Sequence, residues 1–337
     1  MRLTLLLLLS ACIPEKDIVL DTGGETDADT DADTDADTDT DADTDADTDA
    51  DTDVEPQVVG VALDLDGIWL TTRDTLDLYV RAVYDDGTEA DVTADATFTS
   101  TDPDVLRFYR PGLGQPLDAG TAEISVHSDL LGGTDFPPFE VTVSVAAAAP
   151  GDLVINELLA DPAVTADPNG DGVMDPVDDE FVELANHADV TVSLAGVSLF
   201  DETNLAARHT FADDVVLRAG EAIVVFGGGD VTGLSAANVR FAVATNVDVG
   251  LRYGLALNNE GDTCSVRAAD GTELAALSYG TSGGNDALDD ASLVLVPDVW
   301  GESYSHHRYV AGAVGDQSPG TFSDGTAFPG PDGRYAP

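Results

Sequence analysis

The residues with the clearest chemical potential lie between Asp167 and Asp178. Positions 1, 3, 5, 9 and 12 of this twelve-residue segment carry side-chain oxygens, on Asp167, Asn169, Asp171, Asp175 and Asp178. Gly172 at position 6 allows a sharp turn, and Val173 at position 7 offers its carbonyl oxygen. Because Ca²⁺ is held by several hard oxygen ligands, this spacing predicts a calcium site.

The segment resembles the calcium loops of EF-hand and dockerin proteins and departs from them at two positions. Position 12 is Asp178 where an EF-hand has a bidentate Glu, and Pro176 opposes a regular exiting helix. The resemblance therefore implies a dockerin-like loop inserted between strands, in which the ion orders the insertion and steadies the strand start at Asp179-Glu180-Phe181. An acidic loop of Asx turns without a metal is the alternative.

A second pattern could support ester or amide hydrolysis. The segment Gly280-Thr281-Ser282-Gly283-Gly284 matches the motif Gly-x-Ser-x-Gly. Asp298 and then His306 or His307 follow it, which is the order of Ser, Asp and His in the family of hydrolases that carry this motif. The nucleophile of that family needs a strand, a sharp turn and a long helix within an α/β sheet, and the β pattern around Ser282 denies this context. A Gly-Ser loop between two strands explains the same residues.

Three further features favour structural roles. Gly227-Gly228-Gly229 follows a predicted strand but precedes Asp230, so it indicates a turn rather than a phosphate cradle. No third ligand stands at metal spacing from His306-His307, which indicates an exposed loop pair. Cys264 lies on a predicted strand and has no disulfide partner once Cys12 is used, which is typical of a small core residue.

The N-terminus carries a processing signal. Leu3–Leu9 forms an apolar run that is too short to span a bilayer, which takes about 20 residues, so residues 1–11 are predicted to be a signal peptide. Leu9-Ser10-Ala11-Cys12 resembles the lipobox of bacterial lipoproteins. The resemblance implies cleavage before Cys12, covalent diacylglycerol and an N-acyl chain on Cys12, and anchoring in a membrane. An ordinary secretory signal is the alternative.

The residue after this cysteine bears on which membrane holds the anchor. Ile13 directly follows the cysteine. An Asp at this position would resemble the inner-membrane retention signal of lipoprotein sorting, and this chain has Ile instead. The resemblance therefore implies an exported outer-membrane lipoprotein, facing either the periplasm or the cell surface.

Residues 12–55 are predicted to form the anchor and a disordered acidic tether. Asp occupies every second position from Asp27 to Asp53, and no apolar face exists at period 2 or 3.6. Like charges stretch such a chain, so residues 13–55 could reach on the order of 130 Å. The tether is either an arm that crosses peptidoglycan or a surface stalk. Its carboxylates attract diffuse counterions but form no preformed calcium cage.

The charge of the chain excludes one class of partner. Residues 13–55 hold 19 acids and one Lys, and residues 56–337 hold 46 acids and 11 Arg, so the folded part is acidic in its own right within a net charge of −52. Such a surface repels nucleic-acid phosphates, so no nucleic-acid binding is expected. The apolar fraction of 43% is nevertheless enough for sizeable cores.

Residues 56–148 are predicted to form one β domain. Apolar and polar residues alternate, as half-buried strands require, in Leu76–Arg81, Ile124–His127 and Val141–Val145. Turn residues separate them at Asp85-Asp86-Gly87 and Asp102-Pro103-Asp104. The order of these pieces resembles the bacterial Ig-like group 2 domain, although residues 108–118 are longer and richer in Gly and Pro. The resemblance implies a β-sandwich that serves as a spacer or adhesive module.

Residues 150–328 are predicted to form a second β domain, followed by a tail at 329–337. Its motifs run in the order Leu153–Leu158, Asp179–Asn186, Val192–Gly196, Leu217–Phe226, Leu257–Asp262 and Ser318-Pro319-Gly320. In this order they resemble a lamin-tail domain, which implies an Ig-like β-sandwich with apolar residues alternating inward. Val197 stands where that family often has Trp. The resemblance implies a binding or positioning role, because fold alone does not give function.

Together these features predict an all-β chain with two Ig-like β-sandwich domains in tandem after a disordered tether. The expected function is a non-enzymatic, lipid-anchored envelope or surface protein that is stabilised by calcium. Its expected ligand is an envelope protein, a surface protein or a polysaccharide. The alternative is a hydrolase or other secreted enzyme that uses the second domain as a platform, and loss of a measured activity in Ser282→Ala would support it.

Overall fold

The computed structural model describes residues 55–65, 67–201, 206–245, 254–282, 285 and 290–331. Within these ranges the chain forms 23 β-strands and three short 3₁₀ turns, so the prediction of an all-β fold is confirmed. No helix among these residues is long and apolar enough to cross a membrane. The predicted signal peptide, Cys12 and the acidic repeat lie outside the described residues.

The first domain is a sandwich of two sheets. Its strands are β1 (Val58–Leu65), β2 (Trp69–Thr71), β3 (Leu76–Tyr84), β4 (Glu89–Asp91), β5 (Ala96–Ser100), β6 (Leu106–Arg110), β7 (Leu113–Pro116), β8 (Gly120–Ser128), β9 (Thr134–Asp135) and β10 (Phe139–Ser144). One sheet has the order β1-β3-β7-β6 with β4 on β3, and the other has the order β2-β10-β8-β5 with β9 on β8. All pairings are antiparallel except β2 with β10.

The alternation in the sequence sets the core of this domain. Leu76, Leu78 and Val80 on β3 are buried, and they pack with inward residues of β8 and β10 in one apolar cluster. The Gly- and Pro-rich stretch at 108–118 contributes to the hairpin of β6 and β7. Gly112 turns this hairpin with a φ of 75°, and a side chain there would collide with the carbonyl oxygen of Leu78 at 2.4 Å.

The second domain continues directly from the first. Its strands are β11 (Ala146–Ala147), β12 (Leu153–Leu159), β13 (Phe181–Asn186), β14 (Val192–Ser193), β15 (Ser198–Phe200), β16 (His209–Thr210), β17 (Val216–Leu217), β18 (Ala222–Phe226), β19 (Val239–Val243), β20 (Gly261–Arg267), β21 (Glu273–Gly280), β22 (Leu293–Val296) and β23 (Ser303–His306). They form three sheets with the orders β11-β14-β17, β19-β18-β13-β12-β22-β23 and β16-β15-β20-β21.

The six-stranded sheet does not follow the alternating burial that the sequence predicts. Every residue of β13 and of β18 is buried. One face of the sheet joins the main core with Leu184 and Val225, while the other face carries Phe181 and Phe226 under separate apolar clusters. The second face is covered because residues 231–241 pack against Phe181 and Phe226, and Phe328 packs against Ala185 and Ala222. Strands that are covered on both sides need not alternate.

The two domains are joined by hydrogen bonds as well as by the chain. Thr72 Oγ1 is buried and donates to the carbonyl oxygen of Thr191 at 2.9 Å, and Thr191 N donates to Leu117 O at 2.9 Å. An ion pair links Arg73 to Asp152. In addition, β11 pairs in parallel with β14, so the second domain begins at the linker itself.

Candidate metal site

The predicted calcium segment lies between two neighbouring strands of the six-stranded sheet. It leaves β12 and returns into β13, and these strands pair antiparallel from Leu153 with Asn186 to Leu159 with Phe181. The ends of the insertion are therefore fixed side by side in the sheet. Gly172 adopts a φ of 86°, the left-handed conformation that the predicted sharp turn requires.

Side-chain oxygens of the loop accept hydrogen bonds from the loop backbone. Asp167 Oδ2 accepts from Gly172 N at 2.9 Å, which joins positions 1 and 6. Asn169 Oδ1 accepts from Asp171 N at 3.0 Å, and Asp171 Oδ1 accepts from Val173 N at 2.7 Å. These contacts curl the first half of the loop around its carboxylates.

The second half of the loop is held in the same way. Asp175 Oδ1 accepts from Val177 N at 2.9 Å and from Asp178 N at 3.2 Å. These contacts fix the position of the Asp175 carboxylate within the second half of the loop.

Sequence reasoning missed Asp179, which was assigned to the strand start. Its side chain is buried, and Oδ2 accepts from Asp175 N at 2.8 Å while Oδ1 accepts from Asn169 N at 3.5 Å. Burial raises the pKa of Asp179, and the negative charges of Asp167 and Asp171 raise it further. One carboxylate thus ties both halves of the loop together in a negatively charged setting.

The three glycines after β18 form a floor beneath the loop. Because β13 pairs antiparallel with β18, residues just before Phe181 must face residues just after Phe226. A side chain at Gly227 would lie 1.9 Å from the carbonyl oxygen of Val177, and one at Gly229 would lie 2.4 Å from Asn169 Nδ2. The glycine run is needed for close approach to the loop, which is more specific than the turn predicted from sequence.

The donor atoms of the loop meet one requirement of a calcium ion and leave another unmet. All of its side-chain donors are hard oxygens, and Asp167 Oδ1 is buried without a hydrogen-bond partner. Among the described residues, however, no three His, Cys, Asp or Glu side chains converge as a finished metal site. Asn169 is buried and donates through Nδ2 to Asp178 O and Gly228 O, each at 3.4 Å. The residues fit calcium in chemistry, and the carboxylates would have to turn inward to complete its shell.

The residues of the hydrolase pattern make separate contacts and do not form a catalytic group. Ser282 lies in an exposed turn after β21, and Gly283 and Gly284 fall outside the described residues. Asp298 accepts from Ser323 Oγ at 2.7 Å. The Nδ1 atom of His307 lies 3.2 Å from Gly315 O. No described contact joins these three side chains, and no long helix follows Ser282 among the described residues.

Two further features, the His306-His307 pair and Cys264, lie in the interior of the second domain. His306 and His307 are buried, so the prediction of an exposed loop pair is wrong. They are buried because β23 pairs with β22 and the C-terminal segment closes over both. Cys264 is buried in the main core, as predicted, and burial raises the pKa of its thiol to about 12.

A buried carboxylate pair holds the C-terminal segment against the sheet. Glu157 on β12 accepts from Ser318 N at 2.8 Å, from Ser318 Oγ at 2.7 Å and from Ser292 Oγ at 2.5 Å. Glu183 on β13 accepts from Gly320 N at 2.7 Å. We call Glu157 and Glu183 with the segment 318–320 the carboxylate clasp. It gives the Ser-Pro-Gly motif a structural role.

The clasp has a consequence for protonation. Burial raises the pKa of Glu157, and burial together with the neighbouring Glu157 raises the pKa of Glu183 well above its usual value. For each group the stabilising contribution is fully present below its unfolded pKa and is lost as pH rises through its folded pKa. The carboxylate clasp therefore contributes most to stability when at least one of its two carboxyl groups is protonated.

Comparisons with known proteins give a limited likeness. No curated protein sequence matches the chain. A C-terminal fragment of intimin in complex with the translocated intimin receptor's intimin-binding domain shares 12% identity at a TM-score of 0.22, covering 67% of this chain and 64% of that one. A DUF4876 family protein from Bacteroides thetaiotaomicron shares 11% identity at a TM-score of 0.23, and the match covers 61% of each chain.

A third solved structure contains domains 4–9 of the surface layer protein SbsC. It shares 14% identity at a TM-score of 0.19, covering 66% of this chain and 31% of that one. The chain thus spans less than two thirds of each of these proteins, and likenesses at these values carry no functional argument. Residues 146–281 match the Lamin Tail Domain family, so the second domain is similar to that family from β11 to β21.

Proposed function

We propose that the protein is an exported, lipid-anchored and non-enzymatic envelope protein that presents two β-sandwich modules for binding or scaffolding. The order of parts supports this proposal: a lipobox-like quartet, an acidic repeat, and then two domains that are bonded to each other. The similarity of residues 146–281 to the Lamin Tail Domain fits a binding or positioning module. Cys12 carries the diacylglycerol and N-acyl chains, and Ile13 directs the protein to the outer membrane.

The anchor is tested by changing each of the two cysteines in turn. In a bacterium that processes lipoproteins, we expect the wild type to incorporate a fatty-acid label and to enter the detergent phase. Cys12→Ser should lose both properties, because only this thiol is placed to receive the lipid. Cys264→Ser is the matched control, because its thiol is buried in the second domain. Label that persists in Cys12→Ser, or that is lost in Cys264→Ser, would contradict the assignment.

We further propose that calcium binds the loop 167–178 and stiffens the second domain. The observation that carries this proposal is the buried and unpartnered Oδ1 of Asp167 inside a loop in which backbone N–H groups already order oxygens of Asn169, Asp171 and Asp175. The ligands are Asp167, Asn169, Asp171, the carbonyl of Val173, Asp175 and Asp178. Bound calcium would neutralise the charge that these residues crowd around Asp179.

Thermal melting of the full chain tests this calcium site. We expect millimolar calcium to raise the melting temperature by about 5 °C, since saturation at about 100 times Kd adds about 2.7 kcal/mol. Asp171→Ala should abolish the rise, whereas Asp213→Ala, which removes an exposed acid elsewhere, should retain it. Diffuse binding to the acidic repeat favours neither folded nor unfolded domains, and magnesium at equal concentration controls for screening.

Two results would refute the calcium site. The first is an equal rise in wild type and Asp171→Ala, which would show that calcium acts through general charge. The second is no rise in the wild type at any concentration, which would leave the segment as an acidic loop of Asx turns.

A further inference from the structure

The outer face of the β2-β10-β8-β5 sheet combines an exposed aromatic ring with uncompensated negative charge. The inward residues of these strands, such as Leu70, Val141 and Ile124, are buried. The outward residues alternate with them and are mainly Thr, Ser and Glu. We call this surface the Trp69 face.

Trp69 is the most exposed aromatic side chain of the described residues, at 77%. It lies opposite Thr142 on β10, and Thr142 in turn lies opposite Thr121 on β8. The three side chains therefore form a row across the sheet. An exposed indole at the edge of a sheet can offer its face to a cation or to another planar group.

Two glutamates adjoin this row. Glu140 and Glu123 are both exposed and lie directly opposite each other on antiparallel strands. Like charges in that position destabilise a sheet. A positive group placed between them would remove that repulsion.

No strand of this sheet contains an Arg or Lys among its described residues. The opposite sheet differs, because Arg81 on β3 pairs with Asp64 and Glu89. Asp64 and Glu89 on that sheet are thus paired with a cation of the same sheet, whereas no ion pair among the described residues involves Glu123 or Glu140. His127 on β8 contacts Asp129 and Asp135 instead, so a cation for Glu123 and Glu140 would come from another molecule.

We propose that the Trp69 face is the docking surface for a cationic, arginine-rich segment of a partner protein. One guanidinium stacks on the Trp69 ring and a second lies between Glu123 and Glu140, because Glu140 stands two residues before Thr142, the strand partner of Trp69. This inference deepens the binding role proposed above and rests on it. It does not depend on the anchor or on calcium, so those proposals and this one can fail separately.

The test uses the full chain and tetra-arginine amide as the probe. Tryptophan emission reports on the face, because the chain has only two Trp residues, and Trp69→Phe supplies the signal of the other one. We expect a saturable change in Trp69 emission in the wild type. The double change Glu123→Gln and Glu140→Gln should weaken apparent affinity about threefold to tenfold.

A charge-matched control separates the face from the overall charge. The double change Asp213→Asn and Asp214→Asn removes the same charge from an exposed site in the second domain and should alter affinity by less than about twofold. Equal weakening in both double variants would show that net charge alone attracts the peptide. Unchanged Trp69 emission would also overturn the proposal, as would a response to cellotetraose in the absence of one to the peptide.

Discussion

Replacing Arg208 by Ala is expected to lower the free energy of unfolding of the second domain by about 3–5 kcal/mol. The guanidinium of Arg208 is buried and pairs through two nitrogens with the carboxylate of Asp201, whose side chain is fully buried. Its charge also acts on Glu180, lowering a pKa that burial holds well above the usual value. Without Arg208, two buried acids lose the same cation.

Chemical denaturation followed by circular dichroism measures this loss, and a double variant gives its cause. Asp201→Asn combined with Arg208→Met removes both charges while keeping similar volumes. We expect it to be more stable than Arg208→Ala, because breaking a buried pair costs more than replacing it. If the double variant is the less stable of the two, packing rather than charge explains the effect.

Glu157→Ala is expected to destabilise the second domain by about 3 kcal/mol or more. The change leaves three buried donors, Ser318 N, Ser318 Oγ and Ser292 Oγ, without the carboxylate that they share, and each such loss costs about 1–3 kcal/mol. Part of this cost is recovered if the C-terminal segment leaves the sheet and its groups reach water. We therefore expect both lower stability and faster proteolysis after residue 310.

Urea denaturation and limited proteolysis measure the two effects. Glu157→Gln retains the shape and one acceptor oxygen and removes the charge beside Glu183, so it should lose less stability than Glu157→Ala. Proteolysis at the wild-type rate in Glu157→Ala would show that Phe328 and its apolar neighbours hold the segment without the clasp.

The strands of the first domain could be predicted because their alternation is local. The buried face of β3 can be predicted from the alternation of Leu76, Leu78 and Val80 with polar residues, without knowledge of the strands that pair with β3. The six-stranded sheet could not be predicted in this way. Part of its second face, with Ala185 and Ala222, is buried by a segment more than 100 residues away that contains Phe328.

The loop illustrates the same limit within a candidate site. Its spacing from Asp167 to Asp178 is visible in the sequence, and so is the turn at Gly172. The roles of Asp179 and Gly227 depend on the pairing of β13 with β18, which brings residues about 50 positions apart into contact. A search for glycines opposite the acidic insertion, once that pairing was assumed, would have found them.

The bonds between the domains determine how the two domains would respond to tension along the chain. The linker strand β11 lies parallel to β14, so a pull along the linker loads the hydrogen bonds of this pair together, in shear, rather than one after another. Close to this strand pair, Thr72 and Leu117 of the first domain form hydrogen bonds with the backbone of Thr191 in the second domain. The joint would therefore transmit force between the two domains as a stiff coupling.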